Sequence, residues 1–376
     1  MLQFQIKLLK ECNADCVYCF EKDHLNDPRR LSLPDMKMIF KHVRAYARKN
    51  NIKTVGFTFT GGEVLLLGHE YLSSLFSLAK KVYQRPGPKV KLGLQTNATL
   101  IDEGYLKLFK KYKISPGISF DVFGSQRRFK NGGSMSEAVI DKMILLSKNR
   151  IGFGVLAVIN RNNYRRAKEM YQILDQAGIS FNTLDLHPWS YEYCPQLTIS
   201  RENYITFLKD LAKAYLANRK PHIRIGTLDV FRRLLLNGPE QARLCSFTKY
   251  CLLGLRFIEN NGDVYPCDTL RFKKLYLGNI LRDSLEKIMN SPVLEKLKRR
   301  TKNIELQCRK CKYVRICSGG CMAYANMEGD ILHRSKNACR VNKAMFEYFE
   351  KYLKKNGKEM KYLAPASALP GKSLEH

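Results

Sequence analysis

The 376-residue sequence has no apolar run of about eighteen residues, which excludes a membrane-spanning helix. Its first residues, MLQFQIKLLKEC, are too few and wrongly composed for a secretory signal, so cytoplasmic residence is expected. No internal repeat and no heptad array is present, which excludes a solenoid or a long coiled coil. Acidic residues are scarce: 34 Asp and Glu stand against 65 Lys and Arg, a formal net charge of +31. Such an excess is either a solvated basic surface or a surface for an acidic partner, peptide or nucleic acid.

What is present points to a globular protein of more than one domain, with 45% hydrophobic and 11% aromatic residues. Twelve cysteines in a chain expected in the cytosol argue for metal ligation rather than disulfides. They are clustered. Cys12, Cys16 and Cys19 open the chain, Cys194 stands alone, and eight lie between Cys245 and Cys339. The final LEH has the look of a tag junction and is left out of the fold reading.

Strand-like and helix-like stretches alternate to about residue 190. The strands expected are Phe4 to Leu9, Thr54 to Thr60, Lys89 to Thr96, Ile114 to Asp121, Ile151 to Ile159 and Ser180 to Leu186, all rich in β-branched or aromatic residues. Helices are expected at Pro34 to Lys49, Tyr71 to Tyr83, Glu103 to Tyr112, Ser136 to Ser147 and Tyr164 to Ala177, then Arg201 to Asn218. Six β-α repeats imply a parallel sheet with right-handed crossovers, too short to close an eight-stranded barrel. The fold expected is α/β: a partial (β/α)6 barrel over residues 1–190, a helical connection over 191–240, a small cysteine-rich domain over 241–352 and a basic tail over 353–376.

In such sheets the active site lies at the carboxyl ends of the strands. The first cysteines follow the first strand, TGGE (Thr60 to Glu63) ends the second, QTN (Gln95 to Asn97) the third and SFD (Ser119 to Asp121) the fourth. Convergence of these ends on one site is more specific than any one of them. Three soft thiolates at C-x3-C-x2-C suit an iron-sulfur cluster that keeps one iron open. The rival for the same residues is a zinc knuckle completed by His24.

CNADCVYCF, with Tyr18 before the third cysteine, resembles the signature of the radical S-adenosylmethionine (SAM) superfamily. The resemblance implies a 4Fe-4S cluster on Cys12, Cys16 and Cys19 whose free iron chelates SAM and cleaves it to a 5′-deoxyadenosyl radical. It also gives candidate SAM contacts. Gly61, Gly62 and Glu63 form the GGE motif, in which the glutamate would accept from the SAM amine. Gln95, Asn97, Ser119 and Asp121 lie at later strand ends, and Arg128 or its neighbour Arg127 would pair with the SAM carboxylate. Val64 and Val122 replace the proline and glycine usual in these motifs.

The later cysteines resemble the SPASM domain: Cys251, Gly262 and Cys267, then CRKCKYVRICSGGC (Cys308, Cys311, Cys317, Cys321), then Cys339. With Cys245 in addition, the resemblance implies two fully ligated auxiliary 4Fe-4S clusters. Cys245, Cys251, Cys267 and Cys321 would hold one, and Cys308, Cys311, Cys317 and Cys339 the other. Asp268, directly after Cys267, resembles the general base of sulfatase-maturating members.

The expected function is a radical SAM peptide maturase that oxidises or cross-links a residue of a ribosomally made peptide, as a thioether or a carbon-carbon cyclophane-type link. A peptide with an acidic leader and an electron donor such as flavodoxin or ferredoxin would be its partners. The alternative within the family is an anaerobic sulfatase-maturating enzyme that forms formylglycine. The alternative of another class is a zinc protein that binds nucleic acid. His187 and Trp189, after the sixth strand, are candidates for the cavity wall, and Cys194 reads as an ordinary semi-buried thiol.

Overall fold

The computed structural model describes residues 1–84, 86–186, 190–218, 221–241, 244–248, 251, 256–358 and 360. Six parallel strands form its centre: β1 (Leu2–Lys7), β2 (Thr54–Thr60), β3 (Lys89–Thr96), β4 (Gly117–Ser119), β5 (Gly154–Ile159) and β6 (Phe181–Asp185). Each pairs with its predecessor, and the sheet does not close. The crossovers are α1 (Leu33–Lys49), α2 (Gly68–Val82), α3 (Glu103–Tyr112), α4 (Ser136–Lys148) and α5 (Ala167–Gln176).

Local chemistry sets these elements. Ser32 caps α1 in a reciprocal box: its hydroxyl accepts from Asp35 N at 3.2 Å and the Asp35 carboxylate accepts from Ser32 N at 2.9 Å. Along β1, Leu2, Phe4 and Ile6 are buried against the helices, while Gln5 and Lys7 face the inside of the curved sheet. Val55, Phe57 and Phe59 of β2 are buried likewise, and Phe40 of α1 meets Phe57 with ring centroids 4.9 Å apart. The strand expected from Ile114 to Asp121 shrinks to Gly117–Ser119.

The cysteine-rich part does not stand apart from the barrel sheet. Strand β7 (Arg256–Ile258) pairs parallel to β1, and β8 (Asp263–Tyr265) and β9 (Gly278–Asn279) continue antiparallel, giving a nine-stranded sheet. The remaining helices are α6 (Ser190–Tyr193), α7 (Arg201–Ala217), α8 (Gly226–Asn237), α9 (Leu285–Met289), α10 (Pro292–Cys308), α11 (Val314–Cys317), α12 (Met322–Met327) and α13 (Lys336–Lys355). Helix α13 packs on α7 and α8. Phe346 on α13 gathers Phe231, Phe247 and Tyr313, with centroids 5.1, 6.1 and 5.1 Å away, so one aromatic cluster anchors both later cysteine segments. The basic run KLKRR is not all solvated surface: Arg300 is fully buried and donates to the carbonyls of Ile331 at 2.8 Å and Gly320 at 3.0 Å.

Candidate active site

The strand ends enclose a cavity of about 550 Å³, and Cys12, Cys16, Cys19, Cys321 and Asp268 all lie on its wall. The opening cysteine loop is held by the segment after β4. Asp15 N donates to Arg128 O and Val17 N to Gln126 O, both at 2.9 Å. The GGE backbone holds the other side: Gly62 N donates to Leu9 O at 3.1 Å and Glu63 N to Glu11 O at 2.9 Å. The approach is so close that a Cβ on Gly62 would lie 2.3 Å from Glu11 O, and one on Gly61 2.6 Å from Leu9 Cδ2.

Burial pushes the Cys12 thiol up to about 12 and Cys19 up to about 11, and raises Cys16 as well, partly offset by Arg127. Desolvated thiols that also raise one another need a nearby cation to ionise. Bound iron supplies that charge, so the donor set fits an iron-sulfur cluster. A single tetrahedral zinc would draw its thiolates to about 3.8 Å from one another, given Zn–S near 2.3 Å. His24, the fourth ligand that a zinc knuckle would need, is exposed.

The later cysteines fall into two interacting sets. Cys251 is pushed up to about 12, first by a hydrogen bond with Cys245, and it also bonds Cys321. Cys267 is raised by burial and by the charges of Asp268, Cys321 and Cys251. In the other set, burial pushes Cys317 up to about 12, with Cys339 and Cys311 adding to it, and Cys308 is raised by burial and feels Cys339 and Cys311. Arg334 donates to Cys339 Sγ at 2.9 Å and Asn342 to Cys317 Sγ at 3.5 Å, contacts that stabilise thiolate character.

The other candidates divide. Gly61, Gly62, Gln95, Asn97 and Ser119 line the cavity, and Gln95 donates to Ser119 Oγ at 2.9 Å. Glu63 was expected to accept from the SAM amine. Its carboxylate is buried off the wall, accepting from Thr96 Oγ1 at 2.6 Å, Asn97 N at 2.7 Å and Leu65 N at 3.0 Å. It fastens the end of β2 to the end of β3, and burial raises its pKa.

Asp121 is also turned inward, bound by the Tyr18 hydroxyl, by Arg127 Nε at 3.3 Å and by Val158 N at 3.0 Å. Val122 holds φ at +66°, a strained conformation for a β-branched residue and the one that the usual glycine would take freely. Arg128 does not reach the cavity; it pairs with Asp15 at 3.5 Å on a partly exposed face. Of the two neighbours, Arg127 is the one that lines the cavity.

Asp268 lines the cavity with Oδ1 3.2 Å from the Cys267 sulfur and Oδ2 3.2 Å from Gln5 Nε2. Cys194 is buried away from the wall, its thiol donating to Ser190 O at 3.0 Å. His187 and Trp189 lie outside the described residues.

A profile of the radical SAM superfamily matches residues 6–174, and a profile of SPASM, an iron-sulfur cluster-binding domain, matches residues 250–312. The chain carries a radical SAM domain followed by a SPASM domain. Its SPASM domain overturns the zinc alternative, because that domain binds iron-sulfur clusters. A cysteine-type anaerobic sulfatase-maturating enzyme of Clostridium perfringens is 26% identical over 90% of this chain and 93% of its own. The structure of native anSMEcpe with bound AdoMet and Cp18Cys peptide matches with a TM-score of 0.79 at 25% identity, over 94% of this chain and 98% of that one. Streptococcus suis SuiB bound to precursor peptide SuiA has the same fold, with a TM-score of 0.65 at 17% identity over 90% and 76% of the two chains.

Between the radical SAM and SPASM parts runs a buried charge network that the motifs did not reveal. Arg271 donates to Glu259 Oε1 at 2.6 Å and to both oxygens of Glu21, and Glu21 also pairs with Lys7. Arg271 Nε holds Asp268 O at 2.8 Å. One guanidinium thus ties the loop of Cys19 to the loop of Cys267. A second missed group, Asp185, Arg201 and Tyr324, lies on the same cavity wall. The one legible signal was Lys7, a charge on the inward face of β1 beside the uncharged Gln5.

Proposed function

We propose that this radical SAM protein oxidises a side chain of a peptide or protein held in the cavity. Cys12, Cys16 and Cys19 hold the SAM-cleaving 4Fe-4S cluster, and the two later cysteine sets hold two auxiliary 4Fe-4S clusters. When bound, the clusters and SAM supply a 5′-deoxyadenosyl radical and an acceptor for the remaining electron. The chain's own residues do the rest. The backbone of Gly61 and Gly62 leaves room for SAM, and Gln95, Asn97, Ser119 and Arg127 face it. Apolar neighbours such as Leu156, Val158 and Phe257 on the same wall exclude water.

The observation that carries the reading is Asp268: a carboxylate beside Cys267, on the wall shared with Cys12, Cys16 and Cys19. It takes the proton from the substrate heteroatom once a hydrogen atom has left the neighbouring carbon. The electron passes to the acceptor, so the side chain loses two electrons overall. A cysteine treated in this way becomes a thioaldehyde, which water converts to formylglycine with release of hydrogen sulfide. The sulfatase-maturating relatives favour this outcome over the thioether or cyclophane link that the sequence first suggested. The external donor would be flavodoxin or ferredoxin, and the basic surface suits an acidic leader.

The test is anaerobic incubation of the iron-loaded protein with SAM, a reductant and the Cp18Cys peptide, followed by mass spectrometry. Replacement of the thiol by an aldehyde oxygen supports formylglycine, and loss of two hydrogens that persists after incubation in water, with the sulfur retained, supports a cross-link. No change in the peptide while SAM is cleaved sinks the peptide reading.

A further inference from the structure

We propose that Thr183, Asp185 and Arg201 form a subsite that grips the main chain of the peptide substrate. This inference rests on the peptide reading above and adds where the peptide is held.

Thr183 and Asp185 stand two apart on β6, so their side chains share a face, and both lie on the cavity wall. Thr183 is only 2% exposed, and its hydroxyl oxygen has no hydrogen-bond partner among the described residues. The backbone around it is provided for: Thr183 N donates to Thr227 Oγ1 at 2.8 Å, and the Thr227 hydroxyl donates to Thr183 O at 3.1 Å. The side-chain oxygen alone is left over, and an unmade buried hydrogen bond is costly unless a ligand completes it.

Beside it, the Asp185 carboxylate pairs with Arg201 and accepts from the Tyr324 hydroxyl at 3.0 Å. The Arg201 guanidinium lies 5.5 Å from the centroid of the Tyr324 ring. The wall around these groups is apolar, with Leu156, Val158, Leu208 and Phe231. A polar island in an apolar cavity sets orientation rather than bulk affinity.

The chemistry of the island selects an amide. Arg201 carries N–H donors, and Thr183 offers an unfilled acceptor oxygen beside the Asp185 carboxylate, whose Oδ1 already accepts from Leu186 N at 2.9 Å. The charges of Asp185 and Arg201 offset each other, so a lone carboxylate or phosphate gains from Arg201 what it loses to Asp185. A peptide bond matches both halves: its carbonyl accepts from Arg201 and its N–H donates to Thr183 or Asp185. Recognition of this kind ignores side-chain identity and fixes the register of the peptide.

The placement suits a substrate rather than SAM. Tyr324 follows Cys321 by three residues, in the cysteine set that includes Cys267, the neighbour of Asp268. Gly61, Gly62, Gln95, Asn97 and Ser119, which face SAM, sit instead at the ends of β2, β3 and β4.

The experiment uses the anaerobic, iron-loaded protein with SAM bound. Affinity is measured for the Cp18Cys peptide and for a series in which single backbone amides are replaced by esters. An ester removes the N–H and weakens the carbonyl. In wild type, one or two positions should cost about tenfold in Kd, the worth of one hydrogen bond. In Thr183→Val the parent peptide should bind about tenfold more weakly, and the sensitive ester should cost nothing further. Thr183→Ser, which keeps the hydroxyl, should restore the wild-type pattern. An Arg201→Lys variant should weaken the peptide while SAM affinity stays within about twofold. The inference is overturned if the peptide binds but the ester costs the same in wild type and Thr183→Val, or if the variants weaken SAM instead. A wild-type protein that binds no Cp18Cys peptide overturns the peptide reading along with it.

Discussion

Gly62→Ala should cost this protein its first cluster, although the change adds a single methyl group. The new Cβ would lie 2.3 Å from Glu11 O and 2.4 Å from Lys10 O, both backbone atoms that no rotamer change can move. Relief requires the two chains to separate by roughly an ångström, which the paired bonds Gly62 N to Leu9 O and Glu63 N to Glu11 O oppose. Overpacking of this kind costs about 1–3 kcal/mol, and each weakened hydrogen bond adds about 1 kcal/mol. The displaced residues run directly into Cys12. We expect a lowered denaturation midpoint and loss of about one third of the iron per chain, with SAM cleavage down at least a hundredfold. Gly93→Ala is the control, because a Cβ there meets nothing within 4 Å. Full iron content and SAM cleavage within about twofold of wild type in Gly62→Ala would refute the argument that this close approach sets the loop.

Arg271→Gln leaves Glu21 and Glu259 buried without the guanidinium between them and should destabilise the iron-loaded protein by about 3–5 kcal/mol, read by chemical denaturation; Arg271→Lys should recover part of it. Arg127→Ala should weaken SAM binding at least tenfold by equilibrium dialysis, whereas Arg128→Ala, which loses only a partly exposed ion pair, should stay within about threefold. Burial alone would raise the pKa of Glu350, but hydrogen bonds from Lys312, Tyr313 and Lys354 outweigh it and bring the carboxyl down from 4.5 to about 2. A depressed carboxyl stabilises the fold above its unfolded pKa, so the stability gap between wild type and Glu350→Gln should be full at pH 7. It should shrink as pH falls from about 4.5 toward 2, as measured by denaturation midpoints across that range.

The barrel was legible because hydrophobic alternation and capping residues are local signals. β2 and β3 run over the residues that the pattern marked, and Ser32 caps α1. The cysteine motifs were legible because ligand spacing is written along the chain. What stayed hidden depends on distant partners. Glu21 and Arg271 are 250 positions apart, and the pairing of β7 with β1 brings their loops together. Glu63 and Arg128 show the limit of motif transfer, since a motif gives position but not side-chain direction. Glu63 follows β2 and bonds the end of β3, and Arg128, in the segment after β4, pairs with Asp15. Asp185 and Arg201 carry no motif, and their meaning comes from the apolar wall around them.

The most direct measurement is isotope transfer. The Cp18Cys peptide, deuterated at the cysteine β-carbon, is incubated anaerobically with the iron-loaded protein, SAM and a reductant, and the 5′-deoxyadenosine is analysed by mass spectrometry. Deuterium in the nucleoside, formed in step with a modified peptide, is the predicted result. Nucleoside free of deuterium, and produced at the same rate with no peptide present, would contradict the account.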